Sequence, residues 1–137
     1  MYEDLEFFKE SEFREWSSMM NPKILPMLDE FRRRWKRRCS ISKHPDALGR
    51  YLEKSHSQHN LDRFEFVNAA DIFPSGLKTS LDCECAYEVA KDIGFTGIGI
   101  YLDTKQGIMM HLDVRDAPLA KWARVDGEYV SIERAFE

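Results

Sequence analysis

Cysteine is scarce in this chain of 137 residues: only Cys39, Cys83 and Cys85 are present. An odd number of thiols gives no disulfide framework, so the fold has to rest on a packed core. Cys83 and Cys85 stand two apart on a predicted helix, where side chains point to different faces, and do not read as a shared metal site. Reduced thiols are expected, with Cys85 on the packed face. Long apolar runs are missing as well; none approaches the length needed to cross a bilayer, and no membrane partner is expected. The opening Met1-Tyr2-Glu3-Asp4-Leu5-Glu6 is acidic, without the basic and apolar regions of a signal peptide. The expectation is a protein made and kept in the cytoplasm unless something releases it. Positive charge is not in excess: the formal net charge is −4, which argues against a general nucleic-acid binder. The one basic run, Arg32-Arg33-Arg34 and Lys36-Arg37-Arg38, follows an apolar helical pattern and reads as a solvated helix face near its C-terminus. No His-Glu-x-x-His signature occurs. Gly97-Ile98-Gly99 lies in a strand pattern and opens no helix, so phosphate-loop chemistry is excluded.

What is present points to one folded domain over residues 1–137. Hydrophobic residues make up 43% and aromatics 12%, enough for a core at this length. Residues 1–20 carry Phe7, Phe8, Phe13 and Trp16 among charges and read as an arm that packs on the body. Asn21-Pro22 gives an N-cap and a proline at the first helical position. Ile24, Leu25, Leu28, Phe31 and Trp35 follow at helical spacing, predicting a helix of about 15 residues. Cys39-Ser40-Ile41-Ser42 is a short strand candidate. Phe64 to Ile72 reads as a strand ending at Pro74-Ser75-Gly76. Thr79 or Ser80 caps a second helix with Leu81, Cys85, Ala86, Val89, Ala90 and Ile93 on its apolar face, closed by Gly94. Gly97–Tyr101 and Ile108–Val114 form an antiparallel hairpin, and Tyr129–Ile132 a final edge strand. The fold class is therefore α+β, a small antiparallel sheet flanked by helices.

Between Lys43 and Asp62 the pattern dissolves into polar residues that include His44, His56 and His59. A loop that long in a compact domain usually carries function or is disordered. Strand alternation puts Met109, His111 and Asp113 on one face, with Met110, Leu112 and Val114 on the other. The first set places an imidazole and a carboxylate about 7 Å apart on one side of a strand. Asp71 closes an apolar strand, a costly place for a carboxylate unless it is paired or metal-bound. Two histidines and an aspartate are a ligand set that holds catalytic zinc and leaves a fourth position open.

The ordered text Ser57-Gln58-His59, Ala69-Ala70-Asp71-Ile72, Gly97-Ile98-Gly99-Ile100-Tyr101 and His111-Leu112-Asp113-Val114-Arg115 resembles the zinc D-Ala-D-Ala carboxypeptidase family. The likeness is to its small phage and prophage members, endolysin-like enzymes that cut cell-wall peptides. Ala120-Lys121-Trp122-Ala123 looks like the tail of such domains, so the resemblance covers most of the chain. It implies one zinc ion held by His59, Asp71 and His111. It implies peptidoglycan peptides with D-amino acids as substrates, and a zinc metallopeptidase that degrades the wall once released. Ser57 matches a position that helps hold the substrate backbone, and Arg50 is a looser match to an arginine that clamps a substrate carboxylate. Two departures stand out. The family places the aspartate seven residues after the first histidine; here the gap from 59 to 71 is twelve, so either the insertion bulges out or His56 is the ligand. Many members also carry an acid or histidine two or three residues before the last ligand as general base, where this chain has Met109 and Ile108. Asp113 is then the candidate catalytic base or base-orienting residue; alternatively His111 is the base and Asp113 the ligand. A non-catalytic wall-binding or virion-assembly module that keeps the fold is the competing reading.

Overall fold

The computed structural model describes residues 1–52 and 54–137. It is an α+β fold built on one six-stranded sheet. The strands are β1 (Cys39–Ile41), β2 (Ala69–Pro74), β3 (Gly97–Thr104), β4 (Gly107–Asp113), β5 (Ala120–Val125) and β6 (Glu128–Val130). Their spatial order is β1-β2-β4-β3-β5-β6, antiparallel except for β3 beside β5. The predicted hairpin is β3–β4, turning at Lys105-Gln106. After β4 the chain passes the start of β3 and enters β5 with Gly97 opposite Ala120. Local alternation carries no trace of that partner, and β5 is a strand the sequence reading did not assign.

Helix α1 (Ile24–Trp35) buries Ile24, Leu25, Leu28 and Phe31 and ends at Lys36 in a left-handed conformation (φ 64°). It starts later than Asn21-Pro22 implied: the Asn21 side chain accepts from the Lys23 N–H, forming a turn ahead of the helix. The arginine run forms an exposed charge network, Arg33 with Glu6 and Glu30, Arg34 with Glu30 and Asp92. Helix α2 (Ser80–Ile93) has a capping box, Thr79 Oγ1 accepting from the Asp82 N–H and Asp82 accepting from the Thr79 N–H. Gly94 closes it at φ 110°. Its packed face is Cys83, Ala86, Tyr87 and Ala90. The expected placement of Cys85 is thus corrected: Cys85 is exposed and Cys83 buried, and Leu81 is 68% exposed. A face set at 83, 86, 87 and 90 puts 81 and 85 about a quarter-turn or more away from it.

Ala70, Ile72, Ile98, Ile100, Met110, Leu112 and Ala123 point from the sheet into the core shared with both helices. Tyr2, Phe8 and Phe13 of the arm are buried in the same core. Two 3-10 turns over Glu10–Trp16 meet at Arg14 (φ 54°), whose guanidinium reaches the carbonyls of Ser42, Lys43 and His44. The strand expected from Phe64 begins only at Ala69. Residues 61–66 are turns and bends, knotted by Asn60, whose side chain accepts from the Leu52 and Asp62 N–H groups and donates to the Leu52 and Ser55 carbonyls. No helix of the described residues is long and apolar enough to cross a membrane.

Candidate metal centre

The face of the sheet opposite the helices carries the polar residues. Register aligns Asp71 of β2, His111 of β4, Gly99 of β3 and Trp122 of β5 in one row across four strands. Paired residues in a sheet point to the same side, so this row converges on one place. His59 joins it from the loop: its backbone carbonyl accepts from the Arg50 N–H, and the neighbouring Ala47 carbonyl accepts from the Asp71 N–H. One short segment, residues 47–50, therefore holds both the histidine and the aspartate in place. The twelve-residue spacing bulges into the turns after Asn60 and leaves the two side chains together.

His59 Nε2 lies 3.2 Å from His111 Nδ1 and 3.3 Å from Asp71 Oδ1; His111 Nδ1 lies 3.2 Å from the same oxygen. The outer nitrogens decide what this cluster can do. His59 Nδ1 faces the Leu48 carbonyl, which can only accept, and His111 Nε2 faces an Asp113 oxygen at 2.7 Å. Each outer nitrogen must therefore carry its ring's proton, so both inner nitrogens of neutral rings present lone pairs beside the Asp71 carboxylate. Three lone-pair donors this close repel one another unless positive charge sits among them. His59, Asp71 and His111 form a group that could hold a metal ion. Burial works against a charged imidazole, but hydrogen bonds to Asp113 and Asp71 outweigh it and hold His111 up at about 9. Burial also opposes ionisation of Asp71, yet its bonds to His111 and His59 keep the carboxyl well below the usual range.

Asp113 is placed behind His111. It is 0% exposed, with Oδ2 taken by His111 and by Arg115 Nη2 at 2.6 Å and Oδ1 by Arg115 Nε at 2.9 Å. It does not line the cleft, so its position is that of an orienting partner, fixing the ring and its tautomer. The glycines of β3 make this possible: a Cβ on Gly97 would lie 2.1 Å from the Asp113 oxygens, and one on Gly99 2.5 Å from Trp122 Nε1. His56 and Glu65 are exposed and off the cleft, whereas His44 lines its wall outside the ligand group.

The centre lies in a cleft of about 940 Å³. Arg50 and Ser57 line it; the Ser57 hydroxyl also accepts from the His59 N–H. The Arg50 Nε is buried without a partner among the described residues. The opposite wall is Tyr101, Trp122, Arg124 and Tyr129, none of which the sequence reading assigned a role in the site. The clue was Trp122 and Arg124 at alternate positions of one strand. Arg124 pairs with Asp103 at 3.0 Å. Comparison with models of known protein families, with curated proteins and with solved structures finds no match for this chain.

Proposed function

We propose that the cleft is the active site of a zinc-dependent peptidase that hydrolyses peptidoglycan peptides containing D-amino acids, in a phage or prophage setting. The observation that carries the reading is the convergence of His59 Nε2, His111 Nδ1 and Asp71 Oδ1, with both outer ring nitrogens tied to acceptors. Zinc suits two imidazoles and one carboxylate with room for a further ligand. When bound, it supplies Lewis acidity towards a carbonyl and a water. The chain's own residues do the rest. Asp113 and the Leu48 carbonyl keep the two imidazoles in the tautomers that face the centre. Lys43 and Arg50 line the cleft, Arg50 with a buried Nε that has no partner among the described residues, so a substrate carboxylate has two cations to meet. The substrate class rests on the ordered sequence resemblance.

Met109 occupies the place of the family's base and cannot take a proton; outside the ligand group, His44 and Asp46 are the cleft-lining groups able to do so. That observation favours the second reading, a wall-binding or virion-assembly module without turnover. Metal analysis of the purified protein, followed by digestion of defined wall peptides, separates the two. One zinc per chain with release of a D-amino acid or a cut stem peptide is expected. Zinc without cleavage of any wall peptide supports the module, and absence of metal sinks both the centre and the enzyme.

A further inference from the structure

We propose that Tyr101 is a catalytic residue of this cleft, its phenol O–H donating to the carbonyl oxygen of the scissile amide as that oxygen gains negative charge. This rests on the peptidase reading and adds to it a group outside the candidate ligand set. Tyr101 stands on β3 directly across from Met109, on the face that carries His111. It is only 9% exposed and lines the cleft. Its oxygen accepts from Trp122 Nε1 at 3.1 Å, and the Trp122 indole packs beside the His111 ring with centroids 5.2 Å apart. Gly99 is what lets the indole lie there. The Arg124 guanidinium covers the Tyr101 ring at 4.7 Å and Tyr129 meets it edge-on, so the ring has little freedom to turn away.

An N–H pointing into the phenol oxygen occupies a lone pair and leaves the O–H hydrogen to find its own acceptor. The Tyr129 hydroxyl beside it and a substrate oxygen in the cleft are the acceptors open to that hydrogen. Packing alone would be satisfied by phenylalanine; an indole N–H that fixes the oxygen of a cleft-lining phenol, the indole itself packed against the His111 ring, readies that phenol to donate. Donation into the phenol also strengthens donation from it. In the reaction, water oxygen adds to the amide carbon and the carbonyl electron pair moves onto oxygen. Tyr101 holds that oxygen by a hydrogen bond without giving up its proton. The pair then returns as the C–N bond breaks, and the leaving amine takes a proton from the attacking water.

The test compares metal-loaded wild type with Tyr101→Phe and Trp122→Phe by kinetics, metal competition and calorimetric binding of a phosphinate peptide, a mimic of the tetrahedral state. For Tyr101→Phe, kcat should fall by about 10²–10³ with KM and metal affinity nearly unchanged. Phosphinate affinity should fall by a comparable factor, while affinity for the product peptide stays. Trp122→Phe should give a smaller loss of the same kind. Tyr101→Phe with kcat and phosphinate affinity near those of wild type overturns the role and leaves the peptidase reading intact. Equal losses of metal and activity overturn it too, in favour of a structural role. A metal-loaded wild type that neither cleaves wall peptides nor binds the phosphinate overturns the peptidase reading and Tyr101's part together.

Discussion

Strand β4 borders two different solvents. On one side Met110 and Leu112 are fully buried among Ile72, Ile98 and Ile100, hydrocarbon against hydrocarbon. On the other, His111 and Asp113 are buried too, His111 at the floor of the cleft, but their polar side-chain atoms have partners or face the cluster. The first face is held by non-directional apolar burial and tolerates swaps that conserve volume. The second is held by directional bonds to charged groups, so losing one member leaves another buried and unsatisfied. Neighbouring residues of one strand should therefore answer substitution in different currencies, stability on one side and metal affinity on the other.

The largest expected effect is at His111. His111→Ala removes one of the three groups that could hold an ion and should abolish metal binding, whereas His44→Ala should keep it, as measured by metal content after dialysis; zinc retained at one per chain in His111→Ala breaks the proposed assignment. Next, Leu112→Ala should cost about 2–5 kcal/mol in chemical denaturation. Metal per folded molecule should be unchanged, and a loss of metal affinity there would show that the two faces are not separable. Asp113→Asn should weaken metal binding by about 10–100-fold in a chelator competition while the chain stays folded. Gly97→Ala, which pushes a methyl at the same carboxylate, should act in the same direction. Thr79→Ala, in the capping box far from the cleft, is the smallest: about 1 kcal/mol of stability with metal affinity untouched.

Much of this contrast is written locally. Alternation over Met109–Val114 separates the faces, and Thr79 with Asp82 and Gly94 brackets α2 because caps depend on adjacent residues. His59, Asp71 and His111 were legible as a set, but the choice against His56 was not. It depends on Leu48 and Arg50 meeting the residues around His59 across the loop, contacts that no spacing encodes. The same holds for β5, whose partner β3 lies across a chain crossing. Cys85 went to the wrong face because Leu81 looked apolar enough to belong to the core, whereas Tyr87 anchors that face instead, packing against Phe136. Asp113 shows the reverse limit: the face was readable, but Arg115 closing over its oxygens was not.

The row Asp71–His111–Gly99–Trp122 has a consequence for how the sheet assembles. Side chains alternate with period two, so sliding β4 by one residue against β2 would send His111 and Asp113 into the hydrocarbon and bring Leu112 to the cleft. A cation held between His59, Asp71 and His111 can bind only when the strands are in step. It would add its binding energy to that alignment alone, by mass action. Ion uptake during refolding is then a gauge of strand alignment, rising only in molecules whose central strands have paired correctly.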